Sequence, residues 1–454
     1  MRLLVYSETG KLSITESFAA GDPIPPYAIL SHTWGPDTEE VTFDDVASGT
    51  SEKKLGFEKI RFCAERARLD GLRHFWIDTC CIDKENYAEL SNALNSMYCW
   101  YRNATRCYVY LSDVSTKKRK RDEDSKDPWE SDFRSSKWFT RGWTLQELLA
   151  PPLVEFFSLE RKRLGDKSSL EQQIHDITAI PKSALRGDHL SQFSVNERMS
   201  WIGPRQTKLE EDKAYSLLGI FGVHIPPRYE EGMASAFQRL QDEIEKQEHC
   251  IRDLRLTDPR DDKKRIEETK GGLLEDSYRW VFENSDYQQW RSDPQSRLLW
   301  IKGDPGKGKT MLLCGIVNEL KRSVTKSDLI SFFFCQAADV SINNATAVLR
   351  GLIYLLVNQQ PSLISHIRRK YDHAGKKLFE DQNAWVALSE IFVGVLEDPS
   401  LNATYLIVDA LDECVTGLPK LLDFITQTSS MSRIKWIVSS RNWPNIEKKL
   451  EVAT

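Results

Sequence analysis

The length, composition and charge of the chain exclude several classes of protein. Its 454 residues leave room for roughly two to four domains, and 40% apolar with 28% charged residues exclude global disorder. A net charge of -5 gives no basic excess, so we expect neither nucleic acid nor an anionic membrane surface as the main partner. The chain has no stretch near the ~20 apolar residues of a membrane span, its N-terminus turns polar too early for a secretory signal, and its nine cysteines lie in apolar segments. These features predict a cytoplasmic protein with reduced cysteines.

Residues 1–227 alternate short apolar runs with amphipathic stretches, which indicates a mostly parallel α/β sheet. We predict helices over Leu55–Leu69 and Glu85–Arg102. The predicted strands are Tyr27–Leu30, Arg73–Ile77, Arg106–Leu111 and Leu153–Phe157. Polar clusters follow two of these strands, at Ser31–Gly35 and Asp78–Asp83. Because ligands of open α/β sheets bind at the carboxyl ends of the strands, we expect any site of this half there.

The middle of the chain is expected to connect two domains. The basic cluster Lys117–Arg121, followed by acidic residues, predicts a solvated loop in preference to a nuclear-localisation signal. Ala214–Phe221 is apolar enough for a buried helix, and Met233–Ile244 has the spacing of an amphipathic helix. From Asp253 to Lys270 almost every residue is charged, which predicts an interdomain linker. The predicted organisation is a first domain over residues 1–227, a helix and charged linker over 228–272, and a second domain over 273–454.

A phosphate-binding motif opens the second domain. Arg297–Ile301 is predicted to be a strand and Met311–Leu320 a helix, and the segment between them fits G-x-x-x-x-G-K-[ST], the P-loop motif. Lys309 is expected to contact the β- and γ-phosphates, and the Thr310 hydroxyl to ligate Mg²⁺. The predicted nucleotide-binding residues of this loop are Gly303, Asp304, Pro305, Gly306, Lys307, Gly308, Lys309 and Thr310.

A second motif follows about a hundred residues later, at the end of the predicted buried strand Tyr405–Val408. We expect this strand to lie beside the P-loop strand, where Asp409 would be the Walker-B aspartate and the second magnesium ligand. Asp412 and Glu413 are predicted to polarise the water that attacks the γ-phosphate.

Two further predicted strands complete a parallel sheet in this domain. Ile434–Val438 leads into Ser439 and Ser440, and then into Arg441, a residue suited to sensing the γ-phosphate. Leu329–Cys335, between the two motifs, supplies the inserted strand. Together the strands predict a P-loop NTPase of the additional-strand class, with ATP or GTP as the nucleotide.

These motifs resemble those of two known families. Gly303–Arg441, with its Asp-Ala-Leu-Asp-Glu Walker B, is similar to a NACHT module, the nucleotide switch of NOD-like receptors. The N-terminal half resembles the fungal heterokaryon-incompatibility (HET) domain. The segments that carry this second resemblance are Ala28–Gly35, Phe75–Asp83, Arg141–Pro151 and Asp212–Phe221.

The combined resemblance implies a receptor of the HET, NACHT and WD-repeat type, which acts in vegetative incompatibility. It implies a purine nucleoside triphosphate with Mg²⁺ as ligand, self-association through NACHT, and HET as the effector of programmed cell death. Such proteins continue into further NACHT helices and a repeat array that reads the incompatibility partner. We therefore expect a sequence that stops at Thr454 to lack the end of the NACHT domain and the repeats.

The residues of the HET half allow either an enzymatic or a non-enzymatic function. HET domains are remotely similar to TIR domains, which are parallel α/β folds, and Trp143 and Glu147 have the Trp-x-x-x-Glu spacing of NAD-cleaving TIR members. By that resemblance Glu147 would stabilise an oxocarbenium-like cation as nicotinamide leaves NAD. Alternatively, Trp143 packs in the core and Glu147 caps a helix or forms a salt bridge. The half is then a non-enzymatic adaptor.

Other polar residues of this half allow weaker hypotheses. His32, near a strand end, is a proton donor or a hydrogen-bonded structural residue. The adjacent Cys80 and Cys81 lack the spacing of zinc ligands, and Cys81 has no evident histidine partner as a nucleophile.

Overall fold

The structure, a computed structural model, describes residues 1–6, 10–19, 22–117, 129–325 and 328–451. They form two compact units, Met1–Ile244 and Glu245–Thr454, each with its own buried apolar core. The division lies between the predicted bounds at residues 227 and 273, which remain predictions. Within the described residues, no helix combines the length and apolar character that a bilayer crossing requires.

A mixed sheet forms the centre of the first unit. Its strands are β1 (Leu4–Tyr6), β2 (Leu12–Ile14), β3 (Tyr27–His32), β4 (His74–Trp76), β5 (Arg106–Tyr110), β6 (Val154–Phe157) and β7 (Arg163–Asp166). The spatial order is β2-β1-β4-β3-β5-β6-β7. The central strands β4, β3, β5 and β6 are parallel, whereas β1, β2 and β7 pair antiparallel. All six residues of β3 are buried, as expected for a central strand covered on both faces.

Helices cover this sheet and extend beyond it. The helix α2 packs against β3, β4 and β5, and α5 packs against β3 and α3. The helices are α1 (Phe43–Ser48), α2 (Phe57–Leu69), α3 (Tyr87–Asn103), α4 (Glu130–Arg134), α5 (Thr144–Leu149), α6 (Glu171–Thr178), α7 (Lys182–Leu185), α8 (Val195–Ser200), α9 (Asp212–Tyr215), α10 (Leu218–Phe221) and α11 (Met233–Leu254). The division between the units falls within α11.

The second unit has a four-stranded sheet that is parallel throughout. Its strands are β8 (Leu298–Lys302), β9 (Leu329–Phe334), β10 (Thr404–Asp409) and β11 (Ile434–Ser440), in the order β8-β11-β10-β9. Its helices are α12 (Pro259–Thr269), α13 (Ser285–Ser292), α14 (Lys309–Ser323), α15 (Ala345–Gln359), α16 (Ile364–Ala374), α17 (Lys377–Glu380), α18 (Ala384–Leu396), α19 (Leu418–Thr428) and α20 (Pro444–Leu450).

This strand order corrects one prediction. The neighbour of the P-loop strand β8 is β11, not the Walker-B strand β10, which lies one place further along the sheet. The additional strand between the two is thus the sensor strand β11, and not Leu329–Cys335 as predicted, because β9 lies at the edge of the sheet beyond β10. Because all strands are parallel, their carboxyl ends still meet at one edge, so the predicted site residues remain close together.

The structure also differs from the predictions in the connecting regions. The predicted linker Asp253–Lys270 holds α12, which begins at the N-cap Asp258 with Pro259 in its first turn. Lys263 and Ile266 of α12 are buried, so the charged segment packs as part of the second unit. The apolar stretch at residues 214–221 forms the two short helices α9 and α10 in place of one. The predicted loop Lys117–Arg121 lies, apart from Lys117, outside the described residues.

Candidate functional site

The phosphate loop of the second unit connects β8 directly to α14. Gly306 and Gly308 have φ angles of 75° and 77°, in the left-handed region that favours glycine. Gly308 is also the N-cap of α14, whose amino end adds positive potential. Among the described residues, no acceptor receives a hydrogen bond from the backbone amides of Gly306, Lys307 or Gly308. These exposed amides and the helix end form a surface suited to phosphate oxygens.

Lys309 and Thr310 occupy the first turn of α14. The Lys309 ammonium donates hydrogen bonds to the carbonyl oxygens of Gly303, at 2.5 Å, and Asp304, at 3.0 Å. The Thr310 hydroxyl is hydrogen-bonded to the carboxyl of Asp409, at the end of β10. The two predicted magnesium ligands are therefore in contact, and their oxygen atoms are the ligand type that Mg²⁺ prefers.

Asp409 is only 2% exposed. Burial raises the pKa of the Asp409 carboxyl, and hydrogen bonds from Ser439 and Thr310 oppose that rise. Ser439, on the neighbouring strand β11, also accepts the Ala410 amide at 2.9 Å, where the chain turns with a φ of 53°. Sequence reasoning assigned Ser439 only to a polar strand tip. Its contact with Asp409 follows from the strand order, which places β11 beside β10.

The two acidic residues after Asp409 have partners other than those expected. Asp412 accepts the Arg441 backbone amide at 2.8 Å, and its other carboxylate oxygen lies 3.0 Å from Arg441 Nε. The Glu413 carboxylate accepts the amide of Ala337, just beyond β9, at 3.0 Å. Asp412 thus holds the predicted sensor residue, while the predicted role of both carboxylates toward water stays a prediction.

A buried polar centre lies in the first unit, around Glu147 in α5. Ser31, at the carboxyl end of β3, donates a hydrogen bond to Glu147 and accepts one from the Trp138 indole at 2.7 Å. Burial and the charge of Asp78 raise the pKa of Glu147 from 4.5 to about 8, although hydrogen bonds from Ser31 and Tyr101 oppose the rise. At neutral pH the carboxyl is therefore mostly protonated. It is able to donate a proton, or to ionise when a positive charge arrives beside it.

Glu147 lies in a short helix that begins directly after Trp143. α5 begins at Thr144, and Trp143 lies at its N-cap position, half-buried, with its indole 3.3 Å from Asp212 Oδ2. Glu147 itself is 4% exposed and forms none of the salt bridges found among the described residues. Ser31 and Tyr101 reach Glu147 from elements far away in sequence, so no local pattern predicts these contacts.

His32, next to Ser31, points to the opposite face of the sheet because side chains alternate along a strand. Its ring nitrogens each lie 3.8 Å from a carboxylate oxygen, one of Glu40 and one of Asp78. Burial alone would raise the pKa of Glu40, but His32, the Gly35 amide and Lys59 hold it well below its usual range. Asp78 in turn accepts the Trp34 indole at 2.8 Å. The structure thus gathers the predicted loops Ser31–Gly35 and Asp78–Asp83 into one polar site.

Most of the cysteines lie in the apolar cores of the two units. Eight of the nine are buried, and Cys99 is exposed. The Cys81 sulfur is 2% exposed and accepts the Ile77 amide at 3.4 Å. Within the described ranges, no group of three His, Cys, Asp or Glu side chains is arranged to hold a metal ion.

Comparisons with known proteins match both units. The family model described as Heterokaryon incompatibility protein (HET) matches residues 27–147, and the model described as Nephrocystin 3, N-terminal matches residues 276–441. The vegetative incompatibility protein HET-E-1 of Podospora anserina is 62% identical over 455 residues, which cover 100% of this chain. The chain spans 33% of the length of that relative.

The two matched regions contain the two polar sites. The HET match includes Ser31, Asp78 and Glu147, and the second match runs from before the phosphate loop to Arg441. Residues 27–147 therefore match the HET family and residues 276–441 a NACHT-like P-loop region, and the chain is similar over its whole length to part of a fungal vegetative incompatibility protein.

Proposed function

We propose that the chain is the switch and effector part of a nucleotide-controlled incompatibility receptor. The NACHT-like unit binds a purine nucleoside triphosphate with Mg²⁺, and the state of that nucleotide controls self-association. Self-association brings HET domains together, and the clustered HET domains trigger programmed cell death. Such a switch requires contacts to the γ-phosphate that differ between two states.

The contact between Thr310 and Asp409 is the observation that best supports this proposal. A threonine in the first turn after the phosphate loop meets a buried carboxylate from a strand two places away in the sheet. A bound Mg²⁺ would gain both oxygens as ligands, and the open loop amides would bind the phosphates.

The test replaces Lys309 with Ala. Loss of the ammonium removes the charge that would face the β- and γ-phosphates, so the affinity for a labelled triphosphate should fall at least about tenfold, or ~1.4 kcal/mol. Equilibrium binding with ATP and GTP measures this loss and also identifies the base. Lys302→Ala is the matched control, because Lys302 is an exposed lysine at the end of β8 that pairs with Glu447. Equal binding by Lys309→Ala and wild type would contradict the phosphate-site assignment.

A second candidate function is cleavage of NAD by the HET unit. It is favoured by one observation, the buried Glu147 carboxyl beside Ser31, whose pKa is raised to about 8 by burial and the charge of Asp78. A carboxyl in such a position would ionise as positive charge develops on the ribose and would stabilise that charge. If Glu147 must be ionised for the reaction, activity should rise as the pH rises through about 8.

NAD consumption by the purified full chain tests this second function. We expect Glu147→Gln to abolish consumption while the protein stays folded, and Glu155→Gln, on β6, to leave it unchanged. Glu155 is a suitable control because it pairs with Arg163 near the edge of the sheet. If the wild-type chain consumes no NAD at any pH, the HET unit is an adaptor that binds a downstream partner.

A further inference from the structure

Arg441 and Asp412 belong to two different loops at the edge of the sheet that carries the phosphate loop. Arg441 directly follows β11, and Asp412 lies in the turn after β10. The phosphate loop begins at the same place, because the Gly303 amide donates to the Ser440 carbonyl at 3.3 Å. The Asp412–Arg441 pair is therefore next to the residues proposed to bind phosphate.

The two partners differ sharply in exposure. The Asp412 side chain is 2% exposed, whereas the Arg441 side chain is 43% exposed. A buried carboxylate is costly unless it is paired and hydrogen-bonded, and Asp412 obtains both from Arg441. A residue that served only to polarise water would need to face the open site.

The geometry of the pair leaves the end of the arginine available. Asp412 uses both oxygens, one on the Arg441 backbone amide and one on Nε. The two terminal guanidinium nitrogens make no other hydrogen bond or ion pair within the described part of the chain. A guanidinium held at Nε presents these nitrogens as a fork, the arrangement that binds two oxygens of a phosphate.

We propose that Asp412 is a positioning residue that fixes Arg441 to contact the terminal phosphate of a nucleoside triphosphate. The inference rests on the proposed nucleotide function and goes beyond it, because it assigns the distinction between triphosphate and diphosphate to this pair. A diphosphate lacks the group that Arg441 contacts, so Asp412 affects the binding of the triphosphate alone. An arginine without this partner is a long flexible side chain and loses the orientation.

The experiment measures the dissociation constants of a non-hydrolysable triphosphate and of the matching diphosphate for the full chain. We expect Asp412→Asn to lower the preference for triphosphate about tenfold and to leave diphosphate affinity unchanged. Arg441→Ala should have the same effect, and the double variant should lose no more than either single variant. Asp423→Asn, an exposed carboxylate on α19 that pairs with Lys449, should keep the wild-type preference.

Arg441→Lys provides the decisive result if Asp412→Asn does not fold. Lysine keeps the positive charge but has no Nε to hold and no fork to present, so it should also lose the preference. An unchanged ratio in Asp412→Asn or in Arg441→Lys would overturn the inference, as would additive losses in the double variant. A wild-type chain that binds both nucleotides equally overturns this inference alone, and one that binds neither overturns the proposed function with it.

Discussion

At the scale of single residues, the main finding is the buried carboxyl group of Glu147, whose pKa is raised to about 8. Glu147 is buried against Ser31, and Ser31 is held in turn by Trp138. The raised pKa means that the folded protein retains a proton that the unfolded chain releases. This difference makes the stability of the HET unit depend on pH in a way that one substitution can reveal.

We predict that Glu147→Gln stabilises the HET unit at high pH relative to wild type. The pKa of Glu147 is about 8 in the folded protein against 4.5 ordinarily, so its stabilising effect is full below 4.5 and is lost as pH rises through 8. Glutamine stays neutral and undergoes no such loss. In the wild type the loss of stability is roughly 1.4 kcal/mol for each unit by which the folded and unfolded pKa values differ. Thermal melts at pH 5 and pH 9 should show the difference between variant and wild type growing with pH.

This prediction concerns how the difference in melting temperature between Glu147→Gln and wild type changes with pH, and not the absolute melting temperature. Glutamine also alters the hydrogen bond from Ser31, but that effect does not change with pH in the same range. Glu155→Gln serves as the control and should follow the wild-type curve. Parallel curves for Glu147→Gln and wild type would show that the carboxyl is already ionised in the folded protein.

At the scale of elements, the sequence predicted the strands that carry strong apolar patterns and missed those that do not. The runs that became β3, β5, β9 and β10 are long and buried, so periodicity alone identified them. The antiparallel strands β1, β2 and β7 have three or four residues each and show no such pattern. α12 was missed because its charges masked a cap at Asp258 and a single apolar contact at Ile266.

The residues of the candidate site were likewise predicted only where a local sequence pattern identifies them. The phosphate loop is continuous in sequence and was predicted residue by residue, although α14 begins at Lys309, two residues before the predicted helix. The contacts of Ser31 with Trp138 and Glu147 join residues 107 and 116 positions apart, and no local pattern encodes them. The Asp412–Arg441 pair depends on the order of the strands, which the sequence analysis placed differently.

The end of β10 yields a prediction that separates binding from turnover. Asp409→Asn should weaken Mg²⁺-dependent nucleotide binding, because the amide cannot supply the negative charge that the ion requires. Glu413→Gln should leave binding intact and slow hydrolysis, by its predicted role toward water. Binding titrations with and without Mg²⁺, together with phosphate release, measure both effects. Equal losses of binding in the two variants would rule out this division of roles.

At the scale of the whole molecule, two units with separate cores and separate polar sites are joined in one chain. The proposed function requires that the nucleotide bound by the NACHT-like unit control the self-association of the chain. Self-association would then raise the local concentration of the HET units. A ligand shifts such an equilibrium only by its differential affinity for the two states. Triphosphate and diphosphate must therefore give different assemblies.

Light scattering of the full chain at one protein concentration is the most direct test of this account. We predict a larger mass with Mg²⁺ and a non-hydrolysable triphosphate than with the diphosphate, and no such difference for Lys309→Ala. A chain that binds both nucleotides yet keeps the same mass with each would contradict the nucleotide switch.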